Sequence, residues 1–271
     1  MNDPGIKPDK ICSGMYAFTE QLQKAWHTIF DGFYQHLPAP YNHKYQILFE
    51  DQPELFKRPD LFMGQTCGYP YVMTWQPSHD LVAVPSFNIP GCEGTRYSSW
   101  FICNKNSLFQ SLTDFKSSVL VLNNNDSNSG MNVLRSEISK IAYGKSFFAK
   151  VLVSDSHLTS IDYVVNGKAD IASIDAVTWY FAIQEGLVDP DRIRIIGQSQ
   201  KTAGLPFIIN RSINLDSEII RSALNLSLQN CPTEIREFIK IDSFEKVSPE
   251  DYRLTRKLEI EAINLGYPFP A

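Results

Sequence analysis

The sequence predicts an α/β protein built around a parallel sheet. Three strand-to-helix units follow one another between Val119 and Gln184, each an apolar run leading into a residue pattern with helical spacing. Parallel neighbours need a crossover connection, and a helix supplies it. Length is the remaining observation: 271 residues exceed one ordinary domain of about 100–200, so one large or two ordinary domains are expected.

Lys10 to Phe18 reads as a short first strand, and Thr19 offers an N-cap with Glu20 and Gln21 behind it. In the helix that follows, Leu22, Ala25, Trp26, Ile29, Phe30 and Phe33 form one apolar stripe, and Pro38 and Pro40 stop it. Tyr45 to Phe49 is the next strand, and Asp51 to Arg58 a proline-broken polar helix or turn. The stretch DLFMGQTCGYPYV from Asp60 clusters glycines and a proline between apolar residues, a loop that can hold Tyr69 toward a cleft or lay it over a turn. Leu81 to Phe87 and Tyr97 to Cys103 are strands separated by a Gly/Pro break at Ile89 to Gly94.

Val119 to Leu122 is continuous enough in apolar character to be buried on both faces. It runs into NNNDSNSG and a helix marked by Leu134, Ile138 and Ile141. Ala149 to Val153 ends in SDSH, before a helix that Gly167 closes. Asp170 to Ile174 ends at Asp175 and enters the helix Ala176 to Gln184. Ile193 to Ile196 is a further strand, Thr202 to Ile209 a Gly/Pro-containing stretch, and Asp216 to Leu228 and Asp251 to Leu265 read as helices.

Twenty-five Lys and Arg against thirty Asp and Glu leave a net charge of −5. No bulk positive field exists to draw in nucleic acid or an anionic membrane, so any anion site is local. No window approaches the roughly 18 apolar residues that cross a bilayer. Met1 to Lys10 does not read as a secretory signal, so the chain, taken as complete, is expected to stay in the cytoplasm. The five cysteines include no Cys-x-x-Cys pair and are expected to be ordinary thiols; no metal or cofactor is expected.

In open parallel sheets ligands sit beyond the carboxyl ends of the strands, where helix N-termini present N–H groups. Three successive strand ends carry suitable chemistry: Asp126-Ser127-Asn128-Ser129-Gly130, then Ser154-Asp155-Ser156-His157, then Asp175. Hydroxyls and exposed amides at a helix start suit phosphate-like oxygens, and each group alone is also an ordinary N-cap. Their co-occurrence at one sheet edge favours a shared site. Ser127 or Ser129 with His157 and Asp175 also allows a serine-type esterase or phosphatase. Against it, the chain has no Gly-x-Ser-x-Gly elbow. Gly144-Lys145-Ser146 lacks the upstream glycine of a phosphate loop, and His27, His36, His43 and His79 are scattered.

DLFMGQTCGYPYV, NNNDSNSGMNVLR, SDSHLTSIDYVVNGKADIASIDAVTW and GLPFI, in this order and at these separations, resemble the phosphate/phosphite/phosphonate-binding proteins of ABC transporters. The resemblance runs from about Ser13 to Tyr267 and is most distinctive from Ser154 to Trp179. It implies the type II periplasmic-binding-protein fold: two α/β lobes joined by a two-segment hinge, with the ligand cleft between them. Residues 1–98 plus 193–271 would form lobe one, and residues 99–192 the inserted lobe two. It further implies a solute-binding role, not an enzyme's, for a small phosphorus oxyanion: phosphonate, phosphite or phosphate. Ser127, Asn128, Ser129, Ser156 and His157 match oxyanion-binding positions, Tyr16 and Tyr69 match aromatics offered by the other lobe, and Asp175 matches a pocket carboxylate. A periplasmic location, an ABC permease as partner and a monomeric state accompany the resemblance. A ligand sensor that docks on another protein is the alternative role.

Overall fold

The structure, a computed structural model, describes residues 7–50 and 52–270. The first six residues of the stretch weighed as a signal, and Asp51 at the start of the expected polar turn, lie outside the described residues. In chain order the first elements are β1 (Lys10–Cys12), α1 (Glu20–Phe33), β2 (Gln46–Leu48), β3 (Leu61–Gln65), the single turn α2 (Gly68–Pro70) and β4 (His79–Phe87). Then come β5 (Cys92–Glu93), β6 (Arg96–Tyr97), β7 (Ser99–Asn104), β8 (Val119–Leu122), α3 (Val133–Ala142), β9 (Lys150–Val153), α4 (His157–Val165), β10 (Ile171–Asp175) and α5 (Ala176–Gln184). The last are β11 (Ile193–Gln198), β12 (Thr202–Ala203), β13 (Phe207–Asn210), α6 (Ser217–Asn230), α7 (Thr233–Ile239), β14 (Ile241–Glu245) and α8 (Arg253–Asn264).

The contacts divide the chain into two compact units. Unit one is the chain up to Asn88 together with Gly204–Pro249, and unit two is Ile89–Ala203 together with the chain from Glu250 onward. Sequence reading expects boundaries near 98 and 193, with the C-terminal segment in lobe one. The contacts instead assign 89–98, 193–203 and the C-terminal helix to unit two. The reason is local packing: β11 pairs with β7, and α8 packs on α3. The chain therefore passes between units three times, after Asn88, Ala203 and Pro249.

Unit one is organised by a six-stranded sheet in the order β14-β4-β13-β3-β1-β2. β1 runs parallel to β2 and β3, while β13 and β14 pair antiparallel. Thr19 caps α1 by accepting from the Leu22 N–H at 3.2 Å, a contact of a kind worth about 1 kcal/mol. The expected stripe, Leu22, Ala25, Trp26, Ile29, Phe30 and Phe33, is buried in full. Trp26 stacks on Phe30 at 5.6 Å and meets Phe207 of β13 edge-on at 5.9 Å, and Phe207 in turn meets Phe244 of β14. Aromatic contacts of this geometry add to plain burial and set the register of helix on sheet.

Unit two holds a five-stranded sheet in the order β11-β7-β10-β8-β9. The sheet is mixed where a parallel one is expected. β10, β8 and β9 are parallel, and β7 and β11 add an antiparallel arm. The Thr202 to Ile209 stretch is split by Gly204-Leu205-Pro206 into β12, which pairs with β6 in a three-stranded sheet of unit two, and β13 of unit one. Ile102, Val121, Ile161, Val164, Ala172 and Ile174 form a core between the sheet and α4. Because β8, β9 and β10 point the same way, Leu122, Val153 and Asp175 end at one edge, which positions the site.

Candidate functional site

β8 does not lead directly into α3. Between them Asn128–Asn132 forms a wide π-type turn in which Asn132 N–H donates to Ser127 C=O at 3.0 Å. Such turns are uncommon and recur at functional sites. Ser127 begins it, and its Oγ accepts from the Gly130 N–H at 3.0 Å. Gly130 is required there: a Cβ would lie 1.7 Å from Oδ1 of Asn123. That Asn123 oxygen is shielded from solvent and has no hydrogen-bond partner.

The two serines that flank Asn128 come together. Ser127 Oγ lies 3.4 Å from Ser129 Oγ, and Ser129 Oγ lies 2.9 Å from Nε2 of His157, the first residue of α4. Ser173, on β10, donates from its hydroxyl to Ser129 C=O at 2.5 Å and so ties the loop to the sheet. Two hydroxyls and an imidazole from separate loops thus form one short chain of polar groups beside the N-terminal ends of a helix and a π-turn. Those ends present backbone N–H groups and a positive field.

Burial pushes the His157 imidazole down to about 4, with the Ser173 backbone pulling more weakly the other way. The ring is therefore neutral at neutral pH and offers one donor and one acceptor. Its Nδ1 is shielded and makes no hydrogen bond of good geometry, although the Ser173 backbone acts on the ring. In a serine hydrolase an orienting carboxylate holds that atom. Here Asp175 instead caps α5, its Oδ1 accepting from the Val177 and Thr178 N–H groups at 2.7 and 3.0 Å.

The remaining predicted residues take several positions. Ser156 lies next to the cluster as the N-cap of α4, accepting from Thr159 N–H at 3.0 Å and lying 2.8 Å from the Thr159 hydroxyl. Asn128 is fully buried. Its amide donates to Tyr97 OH at 3.2 Å and Thr202 Oγ1 at 2.9 Å and accepts from Asn132 at 3.0 Å, so its polar atoms are engaged within the protein. Tyr16 and Tyr69 belong to unit one. Tyr16 is buried, packs edge-on against Phe87 at 5.5 Å and accepts at its C=O from Trp26 Nε1; Tyr69 sits in α2 and is 8% exposed. Sequence reasoning missed Asn123, Asn132 and the role of Ser173. Ser173 lies two residues before Asp175 on β10 and so on the same strand face, a signal for its role, whereas nothing local points to the other two.

Among the described residues no group of three His, Cys, Asp or Glu could hold a metal ion, and no helix is long and apolar enough to cross a membrane. The five cysteines remain thiols, and burial together with the Asp175 carboxylate pushes Cys92 up to about 12, which keeps it protonated.

A family described as "ABC transporter, phosphonate, periplasmic substrate-binding protein" matches residues 17–252. Among solved structures, the PhnD1 protein of Prochlorococcus marinus in complex with methylphosphonate superposes with a TM-score of 0.73 at 14% identity, covering 95% of this chain and 98% of its own. A binding-protein component of the ABC phosphonate transporter from Pseudomonas aeruginosa gives 0.71 at 16% identity, covering 96% and 88%. The periplasmic aliphatic sulphonate-binding protein of Escherichia coli gives 0.58 at 13%, covering 99% and 91%. The fold is that of the type II periplasmic binding proteins. With the family matched over most of its length, the chain belongs to the phosphonate-binding family of ABC-transporter periplasmic substrate-binding proteins.

Proposed function

We propose that this protein captures a small phosphorus oxyanion, an alkyl phosphonate or phosphite before free phosphate, and hands it to an ABC permease from the periplasmic side. The observation that carries the reading is the Ser127–Ser129–His157 cluster at the end of three parallel strands. Hydroxyls, a neutral imidazole and helix-end amides bind an oxyanion by hydrogen bonds, without a full counter-charge. That suits an acidic protein, whose net charge is −5. The ligand bound by the Prochlorococcus marinus relative, methylphosphonate, belongs to this class. We assign Ser156 to the same oxyanion shell. Asn128 is withdrawn from the ligand set, because its amide is spent inside the protein. Asp175 is committed to its helix cap, which disfavours a ligand with an ammonium group. Catalysis is not part of the reading: no carboxylate acts on His157, and burial makes it a weak base.

Titration calorimetry with methylphosphonate, phosphite, phosphate and aminoethylphosphonate tests it. Binding of the first two, with aminoethylphosphonate weakest, is the expected order. Ser129→Ala should cost about 1–3 kcal/mol of binding free energy, the range for a buried polar partner left unmatched. No heat with any of the four ligands refutes the reading.

A further inference from the structure

Directly behind the serine loop a second polar system runs the other way, into the protein. Asn128, between the two site serines, accepts at Oδ1 from Nδ2 of Asn132 at 3.0 Å. The same Asn132 amide nitrogen donates to Thr255 C=O at 2.9 Å, and its Oδ1 accepts from Nη2 of Arg135 at 2.5 Å. Arg135 also donates from Nη1 to Pro268 C=O at 2.9 Å, and Glu259, itself paired with Arg256, lies 4.0 Å from the guanidinium. Asn128, Asn132 and Arg135 are all buried.

The chain has a direction. A guanidinium only donates, so the atom of Asn132 facing it is the oxygen, and the nitrogen of Asn132 therefore faces Asn128. That in turn turns the nitrogen of Asn128 toward Tyr97 and Thr202. One buried cation thus fixes the orientation of two amides and, through them, the π-turn that presents Ser127 and Ser129. The turn needs outside support, because π geometry is less favourable than the α-helix that follows it. Buried polar chains of this kind rigidify what they hold; here the amide and guanidinium contacts are made, while Arg135 Nε and Thr255 Oγ1 are shielded without a partner. The far anchors, Thr255 and Pro268, lie beyond residue 252, where the family match ends.

We propose that Asn132 and Arg135 are positioning residues for the ligand loop, through which the segment 253–268 sets the geometry of Ser127 and Ser129. The proposal rests on the assignment of that loop to ligand capture. Asn132→Asp tests it, since it keeps an acceptor for Arg135 but removes the donor to Asn128 and to Thr255. Ile193→Ala, a core change in the same unit and outside the chain of amides, serves as the stability-matched control.

In calorimetry with methylphosphonate and phosphite, Asn132→Asp should lose at least about tenfold in affinity, while Ile193→Ala stays within about twofold at an equal fall in Tm. Should Asn132→Asp fail to fold, amide exchange of the unaltered protein decides. Saturating methylphosphonate should then slow exchange at 253–264 as well as at 127–133. Unchanged affinity in Asn132→Asp, or protection confined to 127–133, overturns the proposal while leaving ligand capture intact. An unaltered protein that binds none of the probes overturns ligand capture, and this proposal with it.

Discussion

The buried imidazole of His157 should make the protein lose stability on mild acidification, by an amount that a single substitution isolates. The ring is held near 4, against 6.5 for an ordinary histidine, because desolvation disfavours its charged form. Between those two values the unfolded chain binds a proton that the folded one refuses, so stability falls as pH falls. The contribution is complete above about pH 6.5 and has been lost once pH has dropped to about 4. A difference of about two and a half pH units corresponds to about 3 kcal/mol, with a slope of at most about 1.4 kcal/mol per unit from one group. Urea unfolding of the parent and of His157→Gln at several values between pH 7 and pH 4.5 gives the difference directly. His79, also pushed down by burial against Phe56 and Trp75, titrates alike in both proteins and cancels. The parent's stability relative to His157→Gln should decline by about 2–3 kcal/mol across that range. A difference independent of pH would refute the desolvated placement of the ring.

Two further substitutions probe the strand ends. Gly130→Ala drives a methyl to 1.7 Å from Asn123 Oδ1, so it should destabilise the protein by about 1–3 kcal/mol and weaken methylphosphonate binding; adding Asn123→Ala should recover most of the stability. An unshifted urea midpoint in Gly130→Ala alone would contradict the close approach. Asp175→Ala strips two α5 N–H groups of their acceptor and should cost about 0.5–2 kcal/mol in thermal or urea unfolding, whereas Asp175→Asn retains most of the cap. Equal losses in the two variants would point to the charge of Asp175 rather than to its cap.

The elements that bury one regular face were legible in the sequence. The stripe of α1, the continuous run of β8 and the Gly-terminated α4 and α5 all follow from spacing and end signals. Thr233 to Glu245 was not legible. α7 buries only Ile239, and β14 buries Ile241 and Phe244, three residues apart across a register shift, so no period-two pattern marks it as a strand. The serines and His157, which the structure brings together, stand out in the sequence because cap chemistry and oxyanion chemistry use the same residue types. The inward turn of Asn128 does not, because it follows from the π-turn and from partners 31 and 74 residues away. The placement of the C-terminal helix likewise depends on contacts of Arg135 and Asn132 with residues more than 120 positions distant, which no local pattern carries.

That helix also governs the order in which the protein can be completed during synthesis. Domains fold largely as units, beginning while the chain still emerges from the ribosome. Unit one has all its segments once Pro249 is made, whereas unit two still lacks α8. Its sheet, from Ser99 to Gln198, has by then long been outside, with the buried faces of α3 and the Arg135 guanidinium waiting for Thr255 and Pro268. A chain truncated after residue 249 would therefore hold every segment of the first unit and, in the second, the strands without the helix that supports the loop. The mid-chain serines would be among the last groups to reach their working positions.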